Sequence, residues 1–525
     1  MAVTGPKTPA ATTPTIDPSL RERLLAATDL LERLAADWSL LDQFSSEDRA
    51  RLQRAIAGLS VAAPRAGRKR AKQAERDRRD RRTREAEAVL HETGIRALRR
   101  RPAVTTPNAL PLPDEDAGNG AAAGHVVEAR QPAVERHPDV AFVPDRPCYI
   151  CKTHYARVHH FYDQLCPACA EFNFAARTEL ADLSGRVALL TGGRVKIGYQ
   201  AGLKLLRSGA HLIVTTRFPR DAAARYAAEA DSGDWAERLE IVGLDLRHTP
   251  GVEAFCRDLV ASRDRLDFIV NNACQTVRRP PEFYAHMMAA ERAALRELPD
   301  RARKFLRDPG ADTAVVPSTA RAVAGIPSAE LSQVPLLPDE LVSRPDLFPA
   351  GALDQDFQQV DLRGRNSWRM LLADVPTVEI LEVHLVNAVA PFLFNARLKP
   401  LMLRAPGRDK HIVNVSAVEG QFYRPSKTTR HPHTNMAKAA LNMMTRTAAT
   451  DYHNDGIHMN SVDTGWVTDE DPAAIAARKV VEQRFHPPLD IVDGGARIVA
   501  PNVTGFNTGV HVWGQFLKDY RPTAW

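Results

Sequence analysis

The chain has 525 residues, of which 26% are charged and 44% hydrophobic, and 70 Lys and Arg against 64 Asp and Glu give a formal net charge of +6. That length holds one large domain with small appendages. Six cysteines, four of them in one motif, fit a reducing cytoplasm, and with no secretory signal or apolar run long enough to span a bilayer seen in the sequence, neither a secreted disulfide framework nor a membrane-spanning chain is expected.

Residues 1–17 are Thr, Pro and Ala with few large apolar groups, a composition that reads as disorder. From Leu20 to about Leu59 leucines recur at helical spacing (Leu24, Leu25, Leu30, Leu31), and Ser45-Ser46-Glu47-Asp48 reads as a cap before a second helix. Residues 1–63 are therefore expected to be a disordered start and a helical segment, forming a hairpin or a dimer face. Residues 64–101 are a basic helix, in which Arg65 to Arg101 carries 15 Lys and Arg against 6 Asp and Glu. Such clustering can meet nucleic acid or acidic partners, but the interspersed Glu75, Asp77, Asp80, Glu85 and Glu87 and the lack of aromatics favour a solvated charged helix. Residues 102–143 are a flexible Pro, Ala and Gly linker.

Cys148-x-x-Cys151 and Cys166-x-x-Cys169, fourteen residues apart, supply four thiolates for tetrahedral zinc in a module spanning 144–178. Using all four cysteines leaves no open position, which is the pattern of a structural site; disulfides or free thiols are the alternative. His154, His159 and His160 lie between the pairs and are read as non-ligands. Since the module precedes the first strand of the large domain, its loss is expected to lower stability without altering cofactor chemistry.

From 184 onward strands and helices alternate. The strand Val187–Thr191 runs into Gly192-Gly193-Arg194-Val195-Lys196-Ile197-Gly198 and a helix from Tyr199 to Arg207. Glycines there let backbone amides approach a pyrophosphate at the positive end of a helix. Further strands at 211–216, 239–243 and 266–270 follow, with helices between, which implies an α/β fold built on a doubly wound parallel sheet.

These residues, together with Asp245, Asn271-Asn272-Ala273, Asn387, the strand Ile412–Ser416, Lys438 and Asp463-Thr464-Gly465, resemble the short-chain dehydrogenase/reductase family over roughly 184–525. The resemblance implies a Rossmann fold, a dinucleotide cofactor and a small-molecule substrate. It assigns cofactor binding to Thr191, Gly192, Gly193, Arg194, Ile197, Gly198, Asp245, Asn272, Ala273, Thr464, Gly465 and Lys438, and family catalytic roles to Asn387 and Lys438. Departures accompany it. Lys196 stands where the family has its middle glycine and is expected to need a different turn, Ala417 stands at the active-site serine with Ser416 one residue early, and Thr434 stands at the tyrosine. A threonine hydroxyl is far weaker as an acid than tyrosine, whose pKa is about 10. Tyr423-x-x-Ser426-Lys427 satisfies the usual tyrosine pattern but comes too soon after the strand, so Lys427 reads as a loop lysine. Tyr423, His431 and His433 are the candidates for a substitute acid, against the plainer reading that they are ordinary polar loop residues.

Thr216 replaces the acid that holds a ribose diol in NAD enzymes, and Arg217 follows it, which favours NADP. Residues 275–377 are a long insertion at the carboxyl ends of the strands, expected to be a lid or a partner-binding element, with a charged helix from Glu282 to about Arg307 and with Arg278 and Arg279 facing an anionic substrate or the surface. Three functions remain in play: an NADP(H)-dependent oxidoreductase with an atypical active site, a cofactor-binding pseudoenzyme or scaffold that recruits protein partners or a second copy, and a nucleic-acid-associated regulator.

Overall fold

The computed structural model describes residues 17–99, 140–307 and 327–525, apart from 294, 355, 357, 425 and 426. The Thr/Pro/Ala start, most of the linker and the insertion's 308–326 lie outside the described residues. The chain divides at Glu85 into two units.

In the first unit, Asp17 caps the helix Pro18–Ala36 by accepting from Ser19 N. A short 3-10 turn, Trp38–Gln43, leads to a helix that starts at Ser46, as the serine-acid cap predicts. That helix runs without a break to His91, so the expected second helix and the basic helix are one element. No proline or glycine pair interrupts the run strongly enough to end it; Gly58 and Pro64 are absorbed. The leucine stripe is exposed, with Leu24 at 53% and Leu25 at 57%.

The second unit, Ala86–Trp525, holds the sheet. Two antiparallel strands, β1 (Val140–Pro147) and β2 (His154–Val158), precede eight strands in the order β10-β9-β8-β7-β6-β3-β4-β5. These are β3 (Val187–Thr191), β4 (His211–Thr216), β5 (Leu239–Gly243), β6 (Phe268–Asn271), β7 (Lys410–Ser416), β8 (Ile457–Asp463), β9 (Phe516–Lys518) and β10 (Arg521–Thr523). All neighbours are parallel except β9 and β10. Each central strand is apolar on both faces because helices cover both. Leu190, Val214, Val270 and Val413 face a core with helices Lys196–Arg207 and Ile491–Thr508, while Leu189, Ile213, Ile269 and Ile412 face helices Thr249–Ser262 and Ala390–Arg404.

Two sequence boundaries move. β6 starts at Phe268 rather than Leu266, because the Asp267 carboxylate accepts from Val187 N at 2.8 Å and pairs with Arg186 and Arg265, which makes that position a capped corner. The insertion's charged helix ends at Arg292 and resumes only over Asp300–Phe305, with Pro299 at the restart.

The cysteine module is not a separate domain. Cys148, Tyr155, Tyr162 and Cys166 share a core with Val467, Leu489, Ile491 and Val492 from the large domain. The end of the basic segment joins them. Gly94 N donates to His160 O, Arg96 pairs with Asp163 at 2.7 Å, and Arg99 donates to the carbonyls of Pro487 and Leu489 at 2.7 Å each. These two arginines are thus structural, where composition suggested a solvated face.

Candidate functional site

A cleft of about 1380 Å³ opens at the carboxyl ends of the parallel strands. That exceeds the usual ~300–1,000 Å³ of a ligand pocket, and it lies where open α/β sheets bind ligands.

One end is the glycine turn between β3 and helix Lys196–Arg207. Gly192 has φ +69°, and a Cβ there would sit 2.8 Å from Ala273 Cα. At Gly198 a Cβ would meet Asn272 Nδ2 and Gly192 O at 2.3 Å each. Gly193 is packed 2.8 Å from Val214 by the same measure. Asn272 Nδ2 donates to the carbonyls of Thr191 and Gly192, and Ala273 N donates to Thr191 Oγ1, so these residues brace the turn from the next strand. Lys196 adopts φ +56°, the left-handed region that favours glycine, at a strain of roughly 1–2 kcal/mol. Ile197 packs on Gly494 and, with Gly198, lines the cleft. A turn whose backbone tolerates no Cβ fits a dinucleotide's pyrophosphate. Accordingly, Gly198→Ala should weaken NADPH binding on the order of tenfold or more in a fluorescence titration, about 1.4 kcal/mol or more.

Two expected cofactor residues are committed elsewhere. Arg194 lines the cleft, but its guanidinium reaches Asp221 at 2.6 Å and Gln358 at 3.2 Å. The Asp245 carboxylate is held by Arg247 at 2.7 and 3.0 Å, and Arg247 extends to Glu382 at 2.8 Å. Arg217 differs. It donates to Tyr284 OH at 2.7 Å, stacks 4.6 Å from that ring, and forms no ion pair among the described residues.

At the other end, helix Pro432–Asn454 presents one face to the cleft through His431, Thr434, Asn435 and Lys438. Lys438 Nζ donates to Val415 O at the end of β7, at 2.7 Å. Oγ of Ser416 and Oγ1 of Thr434 are buried without a hydrogen-bond partner. His431 caps the helix with φ +43° and stacks on Trp368, with ring centres 3.8 Å apart and planes 3° from parallel. Its Nδ1 meets Asn435 Oδ1 at 3.0 Å, and burial lowers its pKa from the ordinary histidine value.

Tyr423 and His433 do not reach this site. Tyr423 is 98% exposed and does not line the cleft, although Gln421, Arg424 and Lys427 of the same loop do, and Lys427 donates to Glu419 O at 2.8 Å. His433 lies on the opposite helix face, 1% exposed, with Nε2 3.4 Å from Glu379. Asn387, in a π-helical turn over Leu385–Val389, clamps the Gln275 backbone by bonds of 2.7 and 3.1 Å and leaves the lining to Val386. Thr464 and Gly465 line the cleft.

The insertion forms one wall through Asp354, Gln358, Val360, Asp361, Arg363 and Trp368. Phe283, Tyr284, Met287 and Phe348 pack it onto Phe218. Arg278 is buried between Glu340 and Glu382, so it is structural; Arg279 pairs with Asp361 at the cleft edge. Sequence reasoning missed the opposite wall, where Tyr149, Ile150 and Lys152 of the cysteine module also line the cleft. Nothing in the spacing of the first cysteine pair signals a partner some 300 residues away.

The four cysteine sulfurs lie within 4.8 Å of one another, with Cys151 and Cys166 3.6 Å apart. Tetrahedral zinc with Zn–S of about 2.3 Å needs sulfurs about 3.8 Å apart, so the cluster can hold a metal ion. Hydrogen bonds from Thr153 lower the Cys151 thiol to about 6, while burial raises Cys166 and Cys169. A divalent cation among the sulfurs favours all four thiolates over that burial. His159 instead accepts from Phe161 N and Tyr162 N through Nδ1.

Residues 186–292 match the family model described as short chain dehydrogenase, and residues 364–488 match that of enoyl-(acyl carrier protein) reductase. An uncharacterized protein, R665, of Acanthamoeba polyphaga mimivirus is 29% identical over 377 residues, 68% of this chain and 71% of the relative. Dehydrogenase/reductase SDR family member 13 of Bos taurus is 34% identical over 106 residues, which is 19% of this chain and only 28% of that protein's length. Among solved structures, an RhlG/NADP complex of Pseudomonas aeruginosa is 18% identical with a TM-score of 0.39, covering 64% of this chain and 95% of the other. The glycine turn and the lysine helix fall within these two matched stretches, so over residues 186–292 and 364–488 the chain is similar to the short-chain dehydrogenase/reductase family.

Proposed function

We propose that the chain is an NADP(H)-dependent oxidoreductase acting on a carbonyl or alcohol substrate, with His431 moving the proton in place of the family's tyrosine. The carrying observation is that His431, alone of the three candidates, shares the cleft-facing side of one helix with Lys438. Bound cofactor would supply the hydride; this chain's residues bind, orient and move the proton. With Nδ1–H donated to Asn435, Nε2 of neutral His431 is left as an acceptor for an alcohol proton, and the imidazolium returns it to a carbonyl oxygen. Lys438 and Gly192 to Gly198 would hold the ribose and pyrophosphate, and Arg217 the 2′-phosphate. Four thiolates would hold one structural zinc, a state suited to a reducing cytoplasm.

Titration of NADPH and NADH by fluorescence tests the cofactor assignment. Tighter NADPH binding is expected, with Arg217→Ala reducing the preference about tenfold, the ~1.4 kcal/mol of one charge-assisted contact. Equal affinities in the native protein reject it. Elemental analysis should find one zinc per chain; metal-free protein prepared without chelator rejects that part.

The second reading, a cofactor-binding scaffold, is favoured by Ala417 and Thr434 at two catalytic positions and by the distance of Tyr423 from the cleft. Tight NADPH binding with no turnover on a carbonyl panel would select it.

A further inference from the structure

The first cysteine pair encloses two residues, Tyr149 and Ile150, and both line the cleft. Their backbone is fixed at each end by a sulfur of the cluster. Tyr149 OH accepts from Trp466 N at 3.1 Å. Lys152 and Lys518 lie 5.2 and 5.6 Å from the centre of its ring. Lys518 Nζ also reaches Asp463 at 3.7 Å, and the Asp463 carboxylate accepts from Val418 N and Gly465 N at 2.8 Å each. This chain of contacts joins the cysteine turn to the loops that leave β7 and β8 beside Lys438.

Packing repeats the connection. Val467, in the cleft-lining loop, is 5% exposed within the core built on Cys148 and Cys166. Gly465 has φ +76°, and a Cβ there would strike Leu489 of that core at 2.5 Å. The loop after β8 is therefore shaped by the cysteine module as much as by its own strand.

We propose that the cysteine turn is a working wall of the cleft, in which Tyr149 is a positioning residue: metal held by the four thiolates fixes Tyr149 against the Trp466 amide and so sets the loop at the substrate end of the cleft. This rests on the oxidoreductase reading for its consequence in turnover, but the coupling itself does not. The metal acts at a distance, through the hydrogen bond to Trp466, and touches no reacting atom. It runs against the sequence expectation that losing the cysteine module leaves cofactor chemistry unaltered.

The test uses the full chain in four forms: native protein, Tyr149→Phe, and each of these after chelation, with metal content measured. Hydrogen exchange over residues 464–468 reads the Trp466 amide directly, and residues 187–191 of β3 control for global unfolding. Tyr149→Phe should speed exchange at Trp466 about tenfold or more while β3 stays protected. Chelation of native protein should produce the same local change, and chelation of Tyr149→Phe should add nothing to it, because both remove one link. NADPH affinity should fall with the loop's ordering in the first two cases. Unchanged exchange at Trp466 in Tyr149→Phe overturns the proposal, as do additive effects of mutation and chelation. If chelation unfolds β3, the Tyr149→Phe arm decides alone. If native protein binds no NADPH, the functional reading fails while the exchange data still decide the coupling.

Discussion

Replacement of His431 by alanine is expected to slow hydride transfer by a factor on the order of 10² to 10⁴, the usual worth of a positioned proton donor or acceptor. The pH profile identifies the role. Burial lowers the pKa of His431 against the opposing charge of Glu419. Alcohol oxidation needs the neutral ring, so its rate should rise as pH climbs through that lowered value and then level off. Carbonyl reduction needs the imidazolium and should fall over the same range. Both inflections should vanish in His431→Ala. Lys438→Ala should lower the rate in either direction without removing the histidine inflection, and Thr434→Ala should leave the rate within a few-fold. A native rate and profile preserved in His431→Ala would end this assignment.

The largest stability effect is expected from Arg177→Ala, about 3–5 kcal/mol, the cost of leaving buried charge uncompensated. Arg177 reaches Asp490 at 2.8 and 2.9 Å and Asp493 at 2.9 Å, with its side chain 1% exposed. Tyr162 donates to the same Asp493 oxygen. In the native chain Asp490 is held below the usual carboxylate range by Arg177, despite burial, so its contribution is present above the unfolded pKa and lost as pH falls through the lower folded value. Burial and the neighbouring Asp490 already hold Asp493 above the usual carboxylate range in the native chain; without the arginine Asp490 rises too and Asp493 rises further, so the variant regains stability as pH falls and they protonate. The deficit in denaturant midpoint should therefore be greatest near neutrality and shrink toward pH about 5. A deficit independent of pH would show that lost packing dominates. Arg177→Met, which keeps much of the volume, separates the two.

Local periodicity made the sheet legible. β3, β4 and β5 fall where alternating apolar runs and glycine turns place them, because parallel strands covered on both faces carry their signal within five or six residues. The four cysteines were equally legible, since ligand spacing is a local property. The proposed proton carrier was not. His431 and His433 differ by two residues, and only the helix cap at φ +43° sends one to the cleft and the other toward Glu379. Arg194 and Asp245 misled for a different reason: their family positions are kept, but Asp221, 27 residues on, and Arg247, two residues on, occupy them. Lys196 shows the converse, a residue that looks incompatible with the turn yet is held in it.

The buried pairing of Arg177 with Asp490 spans 313 residues of sequence. A chain made from its amino end at ~5–20 residues per second leaves the four cysteines and Arg177 waiting roughly 15–60 s for the acids that complete them. Through that interval the turn around Tyr149 has the local cover of Tyr155, Tyr162 and Leu165 but lacks Val467, Leu489, Ile491 and Val492, which close the same core. A module made in the first third of the chain is thus finished only when the last helix, Ile491–Thr508, has been made.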